Sequence, residues 1–201
     1  MTSLYLLGID IQQDFCPGGS LAVPNGDEVV APWNQITHAL RKTAAATIFS
    51  RDYHPARTNH FTSFGGEWPV HCVAGSEGAM FHPDLQVEAT DTIIDKGVGE
   101  NDPGYSAFAP LLKRLVIPTG ATFIVGGLAT DYCVKATVND LLREKFNVIL
   151  VVDAIRAVEQ SKGGSGERSL TEMKENGAVF LTTHDVLVRA QSGDLPAQRP
   201  Q

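Results

Sequence analysis

Six short apolar runs recur along the chain, at Tyr5–Ile9, Thr47–Ser50, Thr92–Asp95, Thr122–Val125, Val148–Val152 and Val179–Thr182. Most are unbroken. A strand that shows one face to water alternates polar and apolar residues, whereas an unbroken run belongs to a strand covered on both faces. Helical patterns lie between the runs. Val134, Val138, Leu141, Leu142 and Phe146 share one helix face. Val29–Leu40 and Ala107–Leu115 are weaker helical segments, and Arg168–Glu175 runs into an Asn176-Gly177 C-cap. Such alternation predicts right-handed crossovers in a three-layer α/β/α sandwich with a central six-stranded, mostly parallel sheet. With 201 residues, 43% of them hydrophobic, residues 1–201 read as a single α/β domain with a sizeable core.

Charge and cysteine usage narrow the function classes. The net charge is −7 and no run of Lys or Arg exceeds two residues, which argues against nucleic-acid and membrane partners. The three cysteines, at 16, 72 and 133, form neither an even set nor a C-x-x-C pair. That pattern fits a reducing compartment. The first apolar run is short and Asp10 interrupts it, so it reads as neither signal peptide nor membrane span. A cytoplasmic location is expected.

The apolar runs end in charge. Asp10 follows the first, Lys96 the third, and Asp52 and His54 the second. If the runs are parallel strands, all four residues stand at carboxyl ends, where open α/β sheets place their ligands. The stretch Ile124–Val134 adds a cysteine. A strand enters a glycine turn, Thr130 is placed to cap a helix, and Cys133 follows at the third helical position. There the helix dipole favours a thiolate, and free backbone N–H groups could hold an oxyanion. A buried helical cysteine is more often a small apolar filler. A carboxylate and an amine at the same sheet edge favour a nucleophile, a proton carrier and a charge partner.

Residues 53–89 break the strand–helix rhythm. They are rich in Gly, Pro and His, and a long irregular loop inside a compact domain is usually functional. Asp52, His54, His60 and His71 cluster here and suit a divalent transition metal. His82 reads as structural, and His38 and His184 as surface or cap residues. Phe15, Trp68 and Tyr105 sit on loops that leave strand ends, where they could sandwich a flat ring. Lys162-Gly163-Gly164-Ser165-Gly166 lacks phosphate-loop spacing and reads as a mobile connection.

Taken in order, these pieces resemble a known family. They are Gly8–Leu21, Arg51-Asp52-Tyr53-His54-Pro55, Trp68–Val73, His82–Leu85, Lys96-Gly97, Tyr105–Phe108 and Gly127–Val134. The chain is similar to the nicotinamidase/pyrazinamidase family of the isochorismatase-like cysteine hydrolases, and the likeness spans nearly the whole chain. It implies an isochorismatase-like, Rossmann-like fold with a metal-binding insertion at about 53–89. It implies Cys133 as nucleophile, Asp10 as general base and later acid, and Lys96 as their cationic partner. A cis peptide at Leu128-Ala129 would set the Ala129 N–H beside that of Cys133 as an oxyanion hole. Asp52, His54 and His71 match metal ligands, and His60 matches a variable fourth. One divalent transition metal ion per chain is implied, zinc ahead of iron or manganese. Phe15, Trp68 and Tyr105 match residues that bind the substrate ring. The implied reaction deamidates nicotinamide, or pyrazinamide, to the acid and ammonia through a thioester; homo-oligomer formation is left open.

Two rivals compete. One is another amidohydrolase of the superfamily, acting on a ureido, carbamoyl or maleamate-type amide; such relatives share the Asp, Lys and Cys but generally lack the metal set. The other is a non-enzymatic binding module on the same sheet, which leaves the convergence of Asp10, Lys96 and Cys133 unexplained.

Overall fold

A computed structural model describes residues 3–159 and 161–195. Six strands form one sheet: β1 (Leu4–Ile9), β2 (Ala46–Asp52), β3 (Thr92–Lys96), β4 (Thr122–Leu128), β5 (Asn147–Arg156) and β6 (Val179–Leu181). Their order is β3-β2-β1-β4-β5-β6 and every pairing is parallel, so the sheet is wholly rather than mostly parallel. The helices are α1 (Val30–Leu40), α2 (Phe108–Arg114), α3 (Lys135–Arg143), α4 (Ser165–Glu175) and α5 (Thr183–Ser192). Leu6, Ile124, Ile149 and Val151 point into a core shared with Trp33 and Ile36 of α1 and Val186 of α5. Tyr5, Leu7, Phe123, Val125 and Leu150 point the other way, towards Leu111 of α2, Val138 and Leu141 of α3, and Met173 of α4. Both faces of the sheet are therefore dry, which explains the unbroken apolar runs.

The order reverses between β1 and β4, the central pair. There Gly8 of β1 pairs with Gly126 of β4, and the indole of fully buried Trp33 packs against both. A Cβ on Gly8 would come within 2.7 Å of Trp33 Nε1, and one on Gly126 within 2.7 Å of its ring carbon Cε3. The paired glycines are a seat for the tryptophan.

Three features depart from the sequence reading. The Gly126-Gly127 step is no turn: β4 runs on to Leu128, and its register against β5 shifts between Val125 and Gly127. Gly127 takes φ +119° and presses on Ile9, where a Cβ would meet the Ile9 carbonyl oxygen at 2.0 Å. Helix α4 starts three residues early, at Ser165, so the preceding connection is shorter than expected. Helix α5 was not expected at all, although Thr182 and Asp185 form a capping box and Gly193 ends the helix with φ +77°. His184 stands exposed on α5, His38 is exposed on α1, and His82 accepts from the Asp84 N–H within a turn. Among the described residues no helix is long and apolar enough to cross a membrane.

The seat carries a stability prediction. Trp33→Ala should lower unfolding free energy by about 3–5 kcal/mol, the usual cost of truncating a buried aromatic side chain. Urea unfolding followed by circular dichroism measures it; a loss below about 1 kcal/mol would show that Trp33 does not hold α1 to the sheet.

Candidate active site and metal centre

Four neighbouring strands deliver the charged residues to one edge. Asp10 follows β1 with φ +48°, a left-handed conformation that costs a non-glycine residue about 1–2 kcal/mol. Asp52 ends β2, Lys96 ends β3, and Cys133 stands in the turn after β4. All four are buried. The Lys96 ammonium is their common partner. It lies 2.7 Å from Asp10 Oδ2 and 3.3 Å from Cys133 Sγ, and it donates to Asp52 Oδ1. Ser50 Oγ donates to Asp10 Oδ1 at 2.7 Å, a contact absent from the sequence reading. Gln12 fixes Asp52 from behind: its amide donates to the Asp52 carbonyl and accepts from the Asp52 N–H, each at 2.8 Å.

The turn carrying Cys133 differs from the expected one. Ala129, not Thr130, occupies the N-cap position, and no side chain caps the helix. Residues Thr130–Val134 form a wide π-type turn, in which the Ala129 carbonyl accepts from the N–H groups of both Tyr132 and Val134. The Leu128–Ala129 peptide bond is cis, as the resemblance implied.

Burial and charge fix the protonation states. Burial lifts Asp10 to about 6, against the opposing pull of Lys96. Burial acts on Asp52 in the same direction, but Lys96 and His54 outweigh it and hold the carboxyl at about 2. Burial also opposes the Lys96 charge, yet Asp10 and Asp52 hold its ammonium well above the ordinary lysine value. Cys133 is pushed well above a free thiol by burial, and Asp10 and Asp52 add to the effect against Lys96. Burial thus opposes the thiolate that the helix start favours. One ammonium already faces two carboxylates, and a third anion would leave excess buried negative charge.

Beside this cluster stand His54, His60 and His71, all buried. One nitrogen from each lies within 4.8 Å of the others. His54 Nδ1 contacts the Gly97 carbonyl at 2.9 Å and His71 Nδ1 the Pro69 carbonyl at 2.7 Å. Those bonds protonate Nδ1 and leave each Nε2 lone pair turned inward. His54 Nε2 is a buried polar atom without a partner, and Asp52 Oδ2 lies 3.6 Å from it and 4.0 Å from His71 Nε2. Burial, with the neighbouring imidazoles, lowers His60 to about 4, and burial lowers His71 too. Imidazole nitrogens converging with a carboxylate fit a divalent transition metal ion.

A cavity opens beside both clusters. Phe15, Trp68 and Tyr105 line it, joined by Tyr132, Val158 and Leu21, which the sequence reading did not single out. Cys133, Ala129, Asp52, His60 and His71 reach its wall. Trp68 Nε1 donates to Tyr105 Oη at 2.9 Å, and Trp68 and Tyr132 meet edge-to-face at 4.9 Å. A flat, mostly apolar slot thus has a thiol and a candidate metal set in its wall.

The Isochorismatase domain family matches residues 5–185. The chain belongs to the isochorismatase family. Within it, the chain is 36% identical to the nicotinamidase of Escherichia coli (strain K12) over 203 residues, covering 90% of this chain and 95% of that protein. The pyrazinamidase of Pyrococcus horikoshii, solved in complex with zinc, superposes with a TM-score of 0.80 at 32% identity, over 90% of this chain and 99% of that one. PnC1 from L. infantum, solved in complex with nicotinate, gives a TM-score of 0.82 at 31% identity, over 92% and 94%.

The convergent imidazoles predict one equivalent of divalent metal in protein purified without chelator. His71→Ala should lose most of it, since each ligand removed typically costs a large part of the affinity. Elemental analysis decides: full retention by a His54→Ala/His71→Ala double variant would show that the metal, if any, binds elsewhere.

Proposed function

We propose that the protein is a metal-containing nicotinamidase that also accepts pyrazinamide, with Cys133 as its nucleophile. The observation that carries this reading is the juxtaposition of the Lys96–Asp10–Cys133 cluster and three convergent imidazoles beside one aromatic-lined cavity, with Cys133, His60 and His71 in its wall. The nicotinamidase relative and the zinc and nicotinate complexes of similar proteins support it.

The proposed chemistry follows from the protonation states. Asp10, ionised above about pH 6, takes the proton of the Cys133 thiol. The sulfur attacks the carboxamide carbon, and the carbonyl π electrons move to oxygen. The N–H groups of Ala129 and Cys133 are proposed to hold that oxyanion, each such donor being worth about 3–4 kcal/mol. Asp10 returns its proton to the amide nitrogen as the C–N bond breaks. Ammonia leaves and a thioester remains on Cys133. Asp10 then takes a proton from water, the hydroxide displaces sulfur, and nicotinate leaves as the thiol is reprotonated. Lys96 stays charged throughout and keeps the proton shuttling between Asp10 and the thiol. A divalent ion held by Asp52, His54, His60 and His71, zinc in this reading, would supply a Lewis-acid anchor for the ring nitrogen. Phe15, Trp68 and Tyr105 would hold the ring flat and aim the amide at Cys133. The ureido, carbamoyl and maleamate alternative gives those buried imidazoles no role.

Two experiments check the reading. Asp10→Asn keeps the shape but not the base and should lower kcat by about 10²–10⁴-fold, with Cys133→Ala inactive; ammonia release from nicotinamide measures both, and an active Cys133→Ala enzyme would refute the mechanism. Benzamide matches nicotinamide in shape but lacks the ring nitrogen. Its kcat/KM should fall short by several orders of magnitude, as for a site built around one polar anchor. Comparable values for the two amides would remove the anchoring role and favour a broader amidohydrolase.

A further inference from the structure

The residue between Thr130 and Tyr132 has no part in the chemistry above, yet its carboxylate is one of the most heavily hydrogen-bonded in the structure. Asp131 is only 4% exposed. Its Oδ1 accepts from the Val158 N–H at 2.9 Å; its Oδ2 accepts from the Glu159 N–H at 3.2 Å and from Ser165 Oγ at 2.6 Å. All three donors belong to the connection from β5 to α4 or to the first residue of α4. Two backbone amides and a hydroxyl thus turn towards a turn distant in sequence, the same turn that carries Tyr132 and Cys133 into the cavity wall.

That connection is tied up internally without Asp131. Glu159 accepts from Ser161 Oγ at 3.1 Å and from the Ser165 N–H at 2.8 Å, and its own carbonyl accepts from the Gly166 N–H at 3.2 Å. The Asp131 bonds therefore do something other than shape the loop: they dock a preformed loop onto the nucleophile turn. The docked loop sets Val158, 36% exposed, at the solvent-side rim of the cavity. An aliphatic rim tied to Asp131 sets how large a ring can stand over the sulfur, because pocket selectivity between rings of different size rests on such contacts.

We propose that Asp131 is a positioning residue for substrate size: by docking Val158 against the nucleophile turn it limits the rings that reach Cys133. The identity of the ring rests on the nicotinamidase reading; the existence of the wall does not. The consequence is a slot that admits single, unsubstituted six-membered rings and excludes bulkier aromatic amides. Asp131 would act through Val158 and touch no substrate.

The test uses the thiol itself as a reporter, so that it does not depend on turnover. Cys133 is alkylated with iodoacetamide and with N-phenylmaleimide, each rate is divided by that of free cysteine, and the labelled peptide is identified by mass. The wild type should strongly favour the small reagent. Val158→Ala should narrow the preference by about tenfold or more, the usual effect of a trimmed methylene wall. Asp131→Asn should narrow it in the same direction, and Ser165→Ala, which removes a single donor, should do so more weakly. A merely structural role for Asp131 would raise or lower both rates and add to the effect of Val158→Ala. Action through the wall requires the double variant to be no less selective than Val158→Ala alone. An unchanged ratio in Asp131→Asn, or multiplicative effects in the double variant, would overturn the proposal. If Asp131→Asn does not fold, the Ser165→Ala ratio decides. A parallel comparison of kcat/KM for nicotinamide and 5-methylnicotinamide separates the two ideas. Absence of any nicotinamide turnover by the wild type defeats the functional reading while the alkylation ratios still judge the wall.

Discussion

The site depends on one buried ammonium. Lys96 is 1% exposed, and it faces two carboxylates and a sulfur in a space closed to bulk water. Removing an ion from water costs several kcal/mol even after the protein relaxes, and these opposite charges offset that cost for one another. The arrangement leaves the acids in distinct states. Asp52, paired with Lys96 and close to His54, stays firmly ionised. Asp10, buried more dearly, sits near 6 and can both take and give a proton near neutrality. The thiol keeps its proton until something else holds the negative charge.

Sheet topology is what assembles this group. β1, β2, β3 and β4 are consecutive neighbours in space, and their carboxyl ends supply Asp10, Asp52, Lys96 and the Cys133 turn. Asp52 joins two functions. One oxygen accepts from Lys96, the other points at the imidazoles of His54 and His71, and Gln12 clamps its backbone. The Lys96 cluster and the candidate metal set thus share a carboxylate. The irregular segment between β2 and β3 brings His60, His71 and Trp68 over the same edge.

Much of this was legible in the sequence, for a physical reason. A strand buried on both faces must be apolar, so a charge at its end stands out, and Asp10, Asp52 and Lys96 each close an apolar run. The histidines stand out because they interrupt a segment with no periodicity. What escaped notice depends on contacts that sequence does not space. Ser50 lies inside an apolar run, and only pairing of β1 with β2 brings it to Asp10. Val158 reaches the cavity on the loop after β5, whose amides bond to Asp131 across 27 and 28 residues of sequence. The N-cap rule misplaced the start of the helix at Thr130: the turn widens, and Ala129 supplies a carbonyl in place of a side-chain cap. Burial, with Asp10 and Asp52 adding to it, pushes the Cys133 thiol up, against the pull of the helix start that the sequence suggests.

The central claim is that the Lys96 charge serves the proton shuttle and is not needed to gather the imidazoles. Lys96→Met, similar in length and uncharged, isolates it. Metal content and nicotinamide turnover are to be measured on the same preparation. The account predicts that the metal stays near one equivalent while kcat falls by about 10²-fold or more, the scale of a lost acid–base partner. Turnover within a few-fold of wild type, in a variant that retains its metal, would contradict it.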